Sequence, residues 1–397
     1  MDTQNTPVHI KLWNHSFWHL ALANMFLTSA MTAFIPIFAM WFLQRFGSDK
    51  EVLVGYCMLA MALGMPLLCG FNSWLIQRYR RNKVCLTTIA LQLATLLVMY
   101  EVGVCLPEGI LPIDHEVALI CLAALLGAFY GLAQVILSCT LIIDVCESNQ
   151  RTEANYAASW FRRFGFVIGP VAAILMYGHF GPLGAIGTSA AATIIAFLLI
   201  SSVRFPFRTP DDDVPLYTLD RFFMPQSWPM VLNLMLIKAT FGIVLSHATG
   251  LGFYLFLALG FVIAILAERF AFPDAELKSE VVTGLIVIMA ASLIEVAHPQ
   301  ENVHHLVPTL LGFGYGLICT RFQLFFIKLA KHCKRSSAQS SFVLAVAMGT
   351  CVGLYCAYTW LPDSYESTFM AVLLLSLFSL LMYNFIIHPW YVKHKNR

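Results

Sequence analysis

Four basic side chains stand where a polar group is costly. Lys238 lies mid-way along an apolar run, Arg321 somewhat past the middle of another, and the adjacent Arg162 and Arg163 roughly ten residues into a third. Ten residues of helix rise about 15 Å, close to the middle of a membrane-sized span. Ionised groups at that depth face a cavity, a partner or an ion path. Adjacent helical residues point about 100° apart, so only one of Arg162 and Arg163 can aim squarely at a shared cavity. Glu101, Asp144 and Glu295 fall near the ends of apolar runs, which leaves the deep cations without deep carboxylates. Such cations repel one another in low dielectric unless an anion visits, and the set therefore predicts an anionic organic substrate or counter-ion. The plainer alternative is that they pair with carbonyls or with carboxylates at helix ends.

Neutral polar residues at comparable positions are expected to complete the lining: Asn24, Tyr130, Gln134, Asn233, Tyr315 and Gln323. Taken singly, each also fits a packing hydrogen bond between helices. His298, His304 and His305 fall in or beside one loop without cysteine or carboxylate company, which predicts solvated residues and no metal site. The sequence has no Gly-rich phosphate loop, no Gly-x-Ser-x-Gly and no His-Glu-x-x-His, so no cofactor and no catalytic residue is expected. The eleven cysteines have no paired spacing and read as small packing residues.

The elements that must hold these groups follow from composition. With 59% hydrophobic residues, 12% charged residues and a mean hydropathy of +0.74, the chain is a polytopic membrane protein, not a soluble core. Apolar spans read at roughly 16–43, 52–76, 84–105, 117–143, 154–178, 183–203, 230–248, 251–268, 281–297, 306–330, 338–360 and 366–388. The first lacks the short apolar run and small-residue site of a cleaved signal. Basic residues fall on alternate connections: Arg78, Arg80, Arg81 and Lys83, then Arg151, then Arg204, Arg208 and Arg221, then Arg269 and Lys278, then Lys331, Lys334 and Arg335, and finally Lys393, Lys395 and Arg397. Only Arg45 and Lys50 oppose them. By the positive-inside rule both termini are cytoplasmic, and a bacterial plasma (inner) membrane is the expected location.

A unit of half the chain occurs twice. Leu125-Leu126-Gly127-Ala128-Phe129-Tyr130-Gly131-Leu132 returns as Leu310-Leu311-Gly312-Phe313-Gly314-Tyr315-Gly316-Leu317, and Gly165 and Gly169 return as Gly349 and Gly353. Between the copies, a segment rich in proline carries Asp211-Asp212-Asp213 and the aromatic-basic stretch Leu219 to Phe223. It reads as a tether, with a surface-lying amphipathic piece as the alternative. The expected organisation is an N-terminal six-helix bundle (1–203), a cytoplasmic linker (204–229) and a C-terminal six-helix bundle (230–397), all-α and pseudo-symmetric.

These features resemble the major facilitator superfamily of secondary transporters, from the first span to the last. Ser73-Trp74-Leu75-Ile76-Gln77-Arg78-Tyr79-Arg80-Arg81-Asn82 is similar to the family's loop after its second span, keeping Leu75, Arg78 and Arg81, with Gln77 where Asp is usual and Arg80 where Gly is usual. Asp144, Arg151 and Ala154 match the spacing of a second family pattern, and Lys328, Arg335 and Ala338 stand at its copy. Ala264 to Phe270 keeps an acidic position at Glu268. The resemblance implies a cytoplasmic gate formed by Arg78, Arg81, Asp144 and Arg151 in the first half and by Glu268, Arg269 and Arg335 in the second. Gly165-x-x-x-Gly169-Pro170 resembles a glycine-proline motif of the family's exporters; its physics is close helix approach, with Pro170 permitting a kink.

Transport of a small organic solute by alternating access, with antiport or export slightly favoured, accounts for the repeat, linker, gate and deep cations together. A coupling proton or other ion, the lipid bilayer and a monomeric state complete the expected partners; nucleic acid does not figure among them. The alternative is a membrane-embedded enzyme or flippase acting on lipid-linked substrates. An enzyme would gather carboxylates and histidines at one membrane face.

Overall fold

Among the described residues, twelve helices are long and apolar enough to cross a membrane: α1 (His15–Met40), α2 (Glu51–Arg78), α3 (Arg81–Cys105), α4 (His115–Asp144), α5 (Arg151–Phe180), α6 (Pro182–Ser201), α7 (Pro225–Leu245), α8 (Leu251–Phe270), α9 (Lys278–Ala297), α10 (Val303–Leu329), α11 (Arg335–Trp360) and α12 (Tyr365–His394). This computed structural model describes residues 11–47, 51–106, 112–147, 149–205, 213–219, 222–272, 276–298, 300–331, 334–361 and 364–395. The Arg45 side chain, Lys50, Arg208, Asp211, Asp212, Asp220 and Arg221 lie outside the described residues. The helices are inside-out relative to a soluble protein. Leu63, Leu198, Phe270, Leu374 and Phe385 are exposed on their outer surfaces, whereas Asn24, Gln134, Asn233 and Gln323 are buried. That is the distribution a hydrocarbon solvent selects.

Glycine sets which helices meet. In the first bundle, a side chain at Gly165 or Gly169 on α5 would strike Met25 and Ser29 on α1, and one at Gly127 or Gly131 on α4 would strike the backbone of Met61 and Met65 on α2. In the second, Gly349 and Gly353 on α11 lie against Met235 and Ala239 on α7, and Gly312 on α10 lies against Leu257 on α8. Equivalent glycines therefore close equivalent helix pairs, which is the internal repeat expressed as packing. Pro66 and Gly70 interrupt α2: its α-helical part ends at Leu67 and a 3-10 turn at Cys69–Phe71 precedes Asn72–Arg78.

One end of the molecule collects the basic connections. Asn14, before α1, donates to the Val145 carbonyl after α4, His19 meets Ser202 after α6, and Arg81 meets Asp144. The linker is more than a tether. Thr218 donates to the Gly70 carbonyl, the Tyr217 ring packs edge-on against Phe71, and the Met224 amide donates to Ser341 on α11. We refer to this end as the basic face. His304 and His305 are exposed, as expected, but belong to the first turn of α10 and not to a loop, and they are not without company: His304 pairs with the buried Glu295 at 2.7 Å and the His305 ring stacks on Phe256. The ten described cysteines are free thiols, and the described residues hold no His, Cys, Asp or Glu cluster suited to a metal ion.

Candidate functional site

Between the bundles lies an enclosed cavity of about 20 Å³, bordered by Arg162, Arg163 and Phe166 from α5, Lys238 and Phe241 from α7, Phe261 from α8, Tyr315 and Cys319 from α10, and Val346 from α11. Three of the four deep cations thus converge from both halves. Both arginines reach it, contrary to the expectation that only one could. Both side chains border the cavity, while their guanidinium groups lie over different rings, Arg162 over Phe342 and Arg163 over Trp160.

Aromatic faces do most of the holding. The Lys238 ammonium sits 4.0 Å from the Phe241 ring centre, 5.0 Å from Tyr315 and 5.6 Å from Phe166. Arg163 donates to Thr320 at 2.7 Å, while its Nε and its second terminal nitrogen are buried without partners. Among the described residues, no carboxylate forms an ion pair with Arg162, Arg163 or Lys238. A cation over an aromatic ring gains about 0.5–2 kcal/mol, whereas taking an ion out of water costs several. The rings offset part of the penalty, and Glu268, close enough to act on Arg163, offsets more, which leaves Arg162 and Lys238 with a demand for negative charge.

Arg321 does not border this cavity. Its Nε pairs with Glu280, whose side chain is wholly buried. Glu280 stands in the first turn of α9, so Arg321 pairs with a carboxylate at a helix end, the plainer of the two alternatives. Helix α9 begins before Glu280, at Lys278, so a residue read as preceding the span lies inside it. The neutral polar residues divide in the same way. Tyr315 borders the cavity and shares a 2.8 Å hydrogen bond with Thr240. Gln134 donates to Thr28 and to the Tyr130 hydroxyl, and Tyr130 lies in the field of Arg162. Asn24 joins α1 to α5 through the Ala158 carbonyl, and Asn233 joins α7 to α12 through that of Ser379. Each amide oxygen is buried without a hydrogen-bond partner.

The bundles also touch toward both ends. Near the basic face, Gln323 donates to the Asn155 carbonyl and the Tyr156 hydroxyl donates to Glu268 at 2.8 Å. Helix α4 there contains a π-turn at Leu137–Leu141, which unwinds the regular ladder, and Ser336 and Ser340 of α11 donate to the carbonyl and sulfur of Cys139 within it. Toward the other end, Gly55 lies against Tyr355 and Thr359, and the Tyr56 and Tyr355 rings meet at 6.1 Å. A cavity of this size matches what one water needs and is far below the 300 Å³ or so of a small-ligand site.

The residues assigned to the gate are not all engaged. Arg81 and Asp144 form an ion pair, part-buried at 17% and 16% exposure. Arg78 lies over Trp74, and Glu268 accepts from Tyr156 across the bundle interface. Arg151 is half-buried, close enough to act on Cys146, whose thiol burial holds up at about 11. Arg269 and Arg335 are exposed and form no ion pair among the described residues. Breaking the Arg81–Asp144 pair should loosen the basic face. Cys139, buried beneath α11, is a native reporter. In Asp144→Asn or Arg81→Gln its alkylation, followed by mass spectrometry, should accelerate several-fold, and an unchanged rate in both would return the pair to a purely topological role.

Phe166, Phe241, Phe261, Trp160 and Thr320 escaped the sequence reading. A signal for two of them existed: Phe241 stands three residues from Lys238 and Phe166 three from Arg163, the spacing that brings helical side chains together.

Comparison with known proteins bears on this architecture. The family model for the Major Facilitator Superfamily matches residues 20–354. Solved structures with the same fold include the xylose transporter XylE from E. coli in a partially occluded inward-open conformation (12% identity, 94% of this chain and 98% of that one, TM-score 0.67). A bacterial homologue of the iron transporter ferroportin in an outward-facing state is 17% identical over 95% and 99% of the two chains (TM-score 0.66). The nucleoside transporter NupG is 13% identical over 96% and 100% (TM-score 0.62). No curated protein matches the chain in sequence. The chain belongs to the Major Facilitator Superfamily and is a membrane transporter, not an enzyme.

Proposed function

We propose that this transporter carries a small organic anion, alternately exposing the Arg162, Arg163 and Lys238 cavity to the two sides of the membrane. The observation that carries the proposal is the convergence of three cations from both halves with no carboxylate pairing among the described residues. An anion bound between them would neutralise the site and bridge the bundles, giving the differential affinity a ligand-driven conformational change requires.

The same charges favour exchange over one-way transport. A carrier returning empty must close a dry cavity around uncompensated cations, whereas a loaded carrier closes around a neutralised one. Antiport follows, and the Gly165 to Pro170 motif leans the direction toward export. The basic face is placed on the cytoplasmic side of a bacterial plasma membrane, on the positive-inside asymmetry of the sequence.

Thermal unfolding of the purified transporter tests the substrate class. Organic anions of graded size should raise the midpoint, and matched cations and neutral solutes should not. Stabilisation by cations in place of anions would overturn the proposal.

A further inference from the structure

Aromatic rings reach the border of the central cavity from four helices: Phe166 on α5, Phe241 on α7, Phe261 on α8 and Tyr315 on α10. Lys238 lies over three of them, but among the described residues no cation lies over Phe261. That ring is buried and makes edge contacts with Phe164 and Trp160, at 6.2 and 6.5 Å between ring centres. Neutral polar side chains are scarce on the same border. The Tyr315 hydroxyl is engaged with Thr240 at 2.8 Å, and the Cys319 thiol is a weak donor. The charge is also divided unevenly. Glu268 acts on Arg163, whereas neither Arg162 nor Lys238 pairs with a carboxylate among the described residues. Arg162 stands on α5 and Lys238 on α7, so two positive charges border the cavity from opposite halves of the molecule.

We infer that the substrate is an aromatic dianion, two anionic groups carried on a flat ring, with one group held by Arg162 and the other by Lys238. This rests on the reading of the cavity as an anion site and narrows it. A single negative charge would leave one of the two cations uncompensated in low dielectric. An aliphatic spacer would meet the apolar border through its area alone. A ring gains edge-to-face contact as well, which is worth roughly 2- to 10-fold in affinity. A sugar phosphate carries the charge, but its hydroxyls would be buried against rings without partners. The cavity is enclosed and holds about one water, so uptake of a ring requires the two halves to part.

Titrations of the purified transporter, read from the unfolding midpoint, separate charge from ring. The probes are isophthalate, benzoate as its monoanion, glutarate as a dianion of similar spacing without the ring, and a hexose phosphate. Isophthalate should bind roughly 10- to 100-fold more tightly than benzoate, the equivalent of one further charge-assisted hydrogen bond. It should bind roughly 2- to 10-fold more tightly than glutarate, with the hexose phosphate weaker than either dicarboxylate. Phe261→Leu should bring isophthalate and glutarate to parity while both still stabilise, and Phe261→Tyr should keep the ring preference. Lys238→Gln should lower isophthalate to the level of benzoate. The wild-type series decides whether or not the leucine variant purifies. Benzoate, glutarate or the hexose phosphate binding as tightly as isophthalate, or a ring preference that survives Phe261→Leu, would overturn the inference and leave the anion cavity in place. No stabilisation by any of the four would also overturn it, and stabilisation by matched cations instead would overturn the anion reading as well.

Discussion

Exchanging Lys238 for glutamine is expected to weaken anion binding by roughly 30- to several-thousand-fold, the equivalent of about 2–5 kcal/mol for removing one partner of a desolvated charge pair. The ammonium is buried, ringed by Phe166, Phe241 and Tyr315, and bordered by two further cations. Its neutral replacement removes repulsion as well as affinity. Lys238→Met should therefore raise the unfolding midpoint of the substrate-free protein, since even a buried ion pair replaced by apolar side chains often stabilises by about 1–4 kcal/mol, and Lys238 has no carboxylate paired to it among the described residues. Arg321 behaves oppositely. Arg321→Gln leaves Glu280 buried without its partner, which should cost about 3–5 kcal/mol of stability while leaving the anion preference intact. Adding Glu280→Gln should recover most of that loss. Thermal unfolding with and without anions separates the two behaviours, and a Lys238→Met protein that is less stable and still anion-selective would contradict the assignment.

Bulk at the helix crossings should be the more damaging change for folding. A side chain at Gly169 would collide with the Ser29 carbonyl and with Thr32 Oγ1 at 2.6 Å, and one at Gly353 with the Ala239 backbone. Backbone cannot yield as a flexible side chain can, so Gly169→Leu and Gly353→Leu must push α5 from α1 and α11 from α7. Overpacking of this kind costs about 1–3 kcal/mol where neighbours can shift, and more where they cannot. Both variants should lose most of their monodisperse yield in detergent. Gly187→Leu on α6 is the control, because nothing lies within 4 Å of a side chain there. Comparable losses in all three would mean that added bulk on any helix, not close approach at the crossings, is the cause, since leucine favours the helix over glycine.

The glycine crossings were legible in the sequence because a four-residue spacing recurs in both halves and small residues have one obvious use inside a membrane helix. The depth of Arg162, Arg163 and Lys238 was legible for a similar reason: charge within an apolar run needs a cavity or a partner. What fills the space around them was not. Arg163 and Thr320 are 157 positions apart, and Tyr156 and Glu268 are 112 apart, on helices that meet only across the bundle interface. Arg321 was misplaced by a boundary. A start for α9 three or four residues too late put Glu280 outside the span and hid the partner that accounts for Arg321. Asn24 and Asn233 illustrate a further limit, since a buried amide bonding a neighbouring carbonyl looks in sequence the same as one facing a ligand.

Solid-supported-membrane recording on proteoliposomes addresses the charged cavity most directly. Rapid exchange into organic anions should evoke saturable transient currents from the wild type, and Lys238→Gln and Arg163→Gln should abolish them while Gly187→Leu keeps them. Currents evoked only by organic cations or neutral solutes, or anion currents undiminished in both glutamine variants, would contradict the assignment of this cavity to an anionic substrate.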